Sequence, residues 1–257
     1  TPNPKPQTPN PGSFPFLNYF RMIKIKMSEN FSSMRSLVIE TLGAFFVVLT
    51  STLVDHSSNS PASYFLNGAL SVFFVTMLFS WVSYSYSGAQ MNPAFTLAAF
   101  VAKEIRFSQL VTNLIGQSIG SAAGFFTFWS MTSFGKVYTY YQHHTIGSIF
   151  ALEFILTLIG TLIFCMTVLR KDAPRAVFGF AVPAYYAVLT LALGKFYYTR
   201  GNVAWFLISE IIAFSGVFKY LFVTCSALAA GVIGGLLYGA LLKNIDQKER
   251  PQTFKAN

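Results

Sequence analysis

Two asparagines carry the chemistry that this chain is equipped to perform: Asn92 in Ser87-Gly88-Ala89-Gln90-Met91-Asn92-Pro93-Ala94-Phe95-Thr96, and Asn202 in Gly201-Asn202-Val203-Ala204-Trp205. That chemistry is non-covalent. Asparagine is among the best helix caps, and Pro93 costs nothing at a first helical position, where its missing N–H would lack a partner anyway. The first turn of such a helix presents unpaired N–H groups and the positive end of the dipole. It can donate hydrogen bonds to a neutral solute and repel a cation. Both segments interrupt apolar sequence, and irregular backbone at membrane depth is tolerated only where it is buried in protein or lines a water-filled cavity. The two asparagines therefore point to a pore or a solute site. No nucleophile–base arrangement, phosphate-binding loop or metal cluster accompanies them, so the chain reads as neither an enzyme nor a cofactor-binding protein. His143 and His144, with His56 on the same side, could bind a metal, but a zinc site wants more ligands at defined spacing and adjacent histidines in a loop read as solvated. Cys165 and Cys225 fall in apolar runs and read as small packing residues, with no disulfide between them.

The elements that must position these asparagines are membrane helices. The chain has 257 residues, of which 53% are hydrophobic and only 11% charged, far from the roughly 25% charged residues of soluble domains. A hydrocarbon core about 30 Å thick takes about 20 apolar residues per helix, and six runs qualify, at 35–54, 62–84, 108–134, 146–169, 176–198 and 215–242. Two shorter apolar pieces, 92–102 and 202–213, begin at the two asparagines and are too short to span. They read as half-helices. The expected fold is all-α, with six transmembrane helices and two re-entrant half-helices.

Basic residues orient the bundle. With six spans both termini share one side, and most of the 18 Lys and Arg residues fall there, in the termini and at Lys103, Arg106, Arg170, Lys171 and Arg175. Lys136, Lys195, Arg200 and Lys219 lie opposite. Since cytosol-like loops collect Lys and Arg, the termini are expected on the inner, cytosol- or matrix-like side. Topology and anionic lipid headgroups account for the net charge of +9, so a nucleic-acid partner is not required. Residues 1–30, with six prolines up to Pro15, read as an extended basic arm, and 244–257 as a polar tail. Such an arm suits an organelle membrane, for instance the mitochondrial inner membrane after presequence removal, as well as a plasma membrane.

An internal repeat turns these pieces into an architecture. Glu40 stands just inside the first span and Glu153 just inside the fourth, each a lone carboxylate in an apolar helix, 52 and 49 residues before the corresponding asparagine. Intramembrane carboxylates are costly unless partnered. Their expected role is to accept hydrogen bonds from the backbone of the nearest re-entrant loop, with proton transport the competing role. The third span carries Gly116, Gly120 and Gly124 and the sixth Gly231, Gly235 and Gly239, at the four-residue spacing that lets helix backbones approach closely. Within a transmembrane domain at 31–243, repeat one covers about 35–134 and repeat two about 146–242. Three spans per repeat force the second to be inverted relative to the first, a design whose binding site lies at the membrane midplane.

On these residues the chain resembles the aquaporin and aquaglyceroporin family, the major intrinsic proteins. The resemblance covers roughly residues 35–243. It implies a bundle, usually tetrameric with one pore per subunit, in which the half-helices starting at Asn92-Pro93-Ala94 and Asn202-Val203-Ala204 meet at the bilayer centre. Water or small neutral solutes would pass in single file, with membrane lipid the surrounding partner. The second motif departs from the family pattern: Val203 replaces the usual proline and Trp205 the usual arginine. By the same match the outer filter falls at Val72, or Phe73 if the register slips, with Tyr186, nominally Thr199, and Trp205. Trp205 exchanges a permanent cation with five donors for a ring with one. Two outcomes stay open: a wider, glycerol-like passage if the rings lie against the wall, or a plug if the indole crosses the lumen. Arg200 and Lys195 either restore positive charge there or are solvated loop charges. The competing function is a non-conducting subunit of a larger membrane assembly that keeps only the fold.

Overall fold

The computed structural model describes residues 15–57, 61–132, 145–170, 175–193 and 217–242. Among them the elements are helical throughout: α1 Pro15–Ser57, α2 Pro61–Ser87, the short α3 Pro93–Val101, α4 Phe107–Met131, α5 Ile146–Phe164, α6 Arg175–Leu193 and α7 Val217–Leu237. Each of α5 and α7 continues into one π-helical turn, Cys165–Leu169 and Tyr238–Leu242. Local signals explain the ends that matter. Asn92 caps α3 with an extended backbone and an amide oxygen that accepts from Ala94 N, and Pro93 opens the first turn. Thr145 caps α5 by accepting from Ser148 N. Pro183 sits inside α6, where the bond its missing N–H would have made is absent.

Among the described residues, four stretches are long and apolar enough to cross a membrane: Ser32–Leu53, Leu66–Ser87, Phe150–Leu169 and Leu221–Leu241. The chain is thus an integral, multi-pass membrane protein. Two expected spans differ from this pattern. The apolar stretch of α6 is shorter, Gly179–Ala192. In α4 the buried Asn113, Gln117 and Ser121 lower the mean hydropathy while facing inward. Outward-facing Phe74, Leu78, Ile119 and Ile155 are exposed, as side chains toward lipid tails should be.

The amino-terminal expectation needs correction. An extended coil does not run through the first 30 residues, because α1 begins at Pro15. The physical reason is in the sequence: Pro15 can open a helix, and residues 16–34 contain neither proline nor glycine to stop it. Residues 1–14 and 243–257 lie outside the described residues.

The packing interlocks the repeats. Helix α1 lies along α4 and α2, α2 against α6, and α5 against α7. The half-helix α3 touches α4 of its own repeat, but its larger contact is with α7 of the other. A core of Val72, Phe95, Ala98, Phe164, Cys165, Val182, Tyr185, Tyr186 and Leu189 joins α2, α3, α5 and α6 with the first π-turn, so it occupies the space between the half-helix and the spans around it.

Candidate functional site: the re-entrant loop and its asparagine

The site begins where α2 ends. From Ser87 the chain turns back through Gly88, Ala89, Gln90 and Met91, and three of these hold left-handed backbones: Gly88 at φ 84°, Ala89 at φ 53° and Met91 at φ 46°. Gly88 adopts that conformation freely. For Ala89 and Met91 it costs about 1–3 kcal/mol each and persists only if the surroundings enforce it.

Glu40 supplies the enforcement. It is fully buried on α1, and one carboxylate oxygen accepts from Gln90 N at 3.2 Å while the other accepts from Met91 N at 2.7 Å. Successive N–H groups in such a turn form an anion-binding nest, here filled by the protein's own carboxylate. Gln117 Nε2 donates to the same second oxygen at 2.6 Å and to Thr96 Oγ1 at 2.9 Å. Thr96 in turn donates to the Asn92 carbonyl at 3.1 Å. A second strand of the network runs from Ser36 to Asn113 at 2.5 Å, and from Asn113 Nδ2 to Gln90 Oε1 at 2.8 Å. Met91 presses its sulfur onto α1, where a Cβ added at Gly43 would lie 2.5 Å from it. Two spans, α1 and α4, thereby hold the loop from both sides.

This clamp sets Asn92 at the head of α3, fully buried. Its amide oxygen accepts from Ala94 N at 3.0 Å. Its Nδ2 donates to the hydroxyl of Tyr186 on α6, also at 3.0 Å. The Tyr186 ring lies over Phe95, with centroids 6.2 Å apart and an angle of 26°. Phe95 in turn stacks on Phe164 of α5 at 4.7 Å and 9°. The neighbouring Tyr185 donates its hydroxyl to the Leu156 carbonyl on α5.

The other expected site residues divide as follows. Pro93 and Ala94 open α3. Val72 is buried in the same core as Tyr186. Phe73 faces Phe180 of α6 edge-on, with centroids 5.4 Å apart. Glu153 is buried on α5. Among the glycines, a Cβ at Gly116 would lie 2.8 Å from the Leu37 carbonyl, one at Gly124 2.5 Å from that of Phe45, and one at Gly120 would strike that of Thr41. On α7, a Cβ at Gly231 would strike the Ala94 carbonyl and one at Gly235 would lie 2.6 Å from that of Ala98. At Gly239 the nearest atom would be 3.8 Å away, an ordinary contact. Thr199, Asn202, Val203, Ala204, Trp205, Lys195 and Arg200 lie outside the described residues, as do His143 and His144.

Sequence reasoning did not single out Ser36, Gln90, Thr96, Asn113, Gln117, Phe95 or Phe164. A signal for some of them existed. Asn113, Gln117 and Ser121 repeat every fourth residue beside Gly116, Gly120 and Gly124, so one face of α4 is both small and polar. Such a face belongs inside a bundle, against something with backbone groups to satisfy.

A model of the family described as major intrinsic protein matches residues 27–241. Among solved structures, the aquaglyceroporin from Plasmodium falciparum is similar in fold, with a TM-score of 0.67 and 17% sequence identity, covering 84% of this chain and 99% of that one. Among curated proteins none matches the chain by sequence.

Proposed function

The chain belongs to the major intrinsic protein family, a family of channels and not of enzymes, and on that premise we propose that it is an aquaporin-like channel for passive passage of water or small neutral solutes. Selectivity is altered, or conduction lowered, by Val203 and Trp205 in the second half-motif. The observation that carries the reading is the first half-motif: Asn92 caps a buried half-helix, held by Glu40 through two backbone hydrogen bonds. Fixed amide donors at a positive helix end suit neutral hydrogen-bonding solutes and disfavour cations. Fold similarity to an aquaglyceroporin makes glycerol-sized polyols the first alternatives to water. The inverted repeat pairs Glu153 with the loop before Asn202 as Glu40 is paired with the loop before Asn92, and the outer filter comprises Val72 or Phe73, Thr199 and Trp205, with Tyr186, expected there by position, turned instead to Asn92. The assembly is a tetramer, with both termini on the positively charged side.

The test is osmotic. Purified protein in liposomes is exposed to an osmotic step, and shrinkage is followed by light scattering with sucrose and then glycerol gradients. Passage above empty liposomes, in some variant if not in the natural chain, supports a channel. A second reading, a non-conducting subunit of a larger membrane complex, is favoured by the Tyr186 hydroxyl standing at Asn92. It predicts that no variant conducts and that other subunits copurify in fixed proportion from native membranes.

A further inference from the structure

We infer that Tyr186 and Phe95 form a stopper at the head of the first half-helix, so that Tyr186 limits conduction ahead of the altered second half-motif. The inference rests on the channel reading.

Three observations meet at one place. The Asn92 carboxamide already serves protein groups: its oxygen accepts from Ala94 N, and its nitrogen donates to the Tyr186 hydroxyl at 3.0 Å. The phenol therefore sits where a passing water or alcohol would receive that donor. Behind the hydroxyl, the Tyr186, Phe95 and Phe164 rings are stacked in series, with exposures of 5%, 1% and 0%. Finally, the three rings come from α6, α3 and α5, and Val72, Val182 and Leu189 pack into the same core. The stack bridges the half-helix to two spans of the other repeat and covers the Asn92 end of α3 with aromatic bulk.

The chemistry makes the hydroxyl a latch. A solute that takes the Asn92 N–H now given to Tyr186 exchanges for the phenol oxygen, which costs no hydrogen bond in number. It must also part Tyr186 from Phe95, which exposes two apolar faces and is disfavoured by the hydrophobic effect. An apolar constriction of this kind also resists wetting. Because none of these contacts involves residues 194–216, restoring the second motif leaves the stopper in place.

Four proteins decide the matter in the liposome assay: the natural chain, Tyr186→Ala, Val203→Pro with Trp205→Arg, and the three substitutions combined. Each must elute from size exclusion at the natural volume. If Tyr186→Ala does not, Phe95→Val, which shortens the stack from α3, takes its place. The expected result is water permeability close to that of empty liposomes for both chains that keep Tyr186, and a rise of about tenfold in at least one of the two that lack it. Permeability of a Tyr186-bearing chain equal to that of its alanine counterpart, and above empty liposomes, would overturn the stopper while leaving the channel standing. All four chains closed to water and to glycerol would overturn the stopper and the channel reading together.

Discussion

At the scale of single residues, Glu40 does most to shape the site, because three donors converge on its carboxylate. Glu40→Ala would leave the Gln90 and Met91 N–H groups and the Gln117 amide short of a partner in a buried position, at about 1–3 kcal/mol each. It would also release the strain held at Ala89 and Met91. The expected outcome is a midpoint of thermal aggregation in detergent several degrees below that of the natural chain. Glu40→Gln should fall between the two, since one carboxamide oxygen replaces two acceptors while its NH2 faces other donors. An unchanged midpoint for Glu40→Ala would show that the network does not hold the loop. Glu40 was legible in the sequence as a lone carboxylate in an apolar run, and a loop to satisfy it lay the expected distance away. The meeting of Tyr186 with Asn92 was not. Matching by position places Tyr186 in an outer filter, but where its hydroxyl ends depends on the rotamer and on the tilt of α6. Neither has a signature along a chain in which the partners stand 94 residues apart.

At the scale of elements, glycine lets backbone meet backbone, and not all the glycines of the two ladders are equally placed to do so. Gly120→Ala must push α1 from α4 at the Thr41 carbonyl, and Gly231→Ala must push α7 from α3 at that of Ala94. Overpacking of this kind costs about 1–3 kcal/mol. Both substitutions are expected to lower the aggregation midpoint clearly, Gly239→Ala to change it little, and Gly147→Ala, with nothing within 4 Å of the added carbon, to leave it unchanged or slightly raised. Equal effects at Gly120 and Gly147 would refute the packing argument. Four-residue spacing announced the ladders, yet it could not grade them, because the grade depends on how far two helices diverge toward their ends. It also passed over Gly234, where a Cβ would lie 2.6 Å from a methyl of Thr161, since one glycine in contact with one side chain makes no repeat. The early start of α1 was missed for a related reason: the density of prolines in the first eleven residues coloured the reading of the proline-free stretch after Pro15.

At the scale of the whole molecule, the placement of charge predicts sidedness. Ser108, at the start of α4, and Gly147, at the start of α5, are both exposed, and the six-span topology predicts these two helix starts on opposite sides of the membrane. In a Cys225→Ser background, with Cys165 buried, Ser108→Cys should react with a membrane-impermeant maleimide only from the side that carries the termini, and Gly147→Cys only from the other. Reaction of both from one side would rule out the six-span topology. The contact between α3 and α7 has a further consequence, in time rather than in space. Ala94 and Ala98 rest on Gly231 and Gly235, which leave the ribosome about 140 residues later, or roughly 7–28 s at about 5–20 residues per second. Until then the Asn92 half-helix lacks the surface it lies on. The first repeat must enter the membrane with this segment unsettled, and a helix made much later is the one that completes the earliest part of the site.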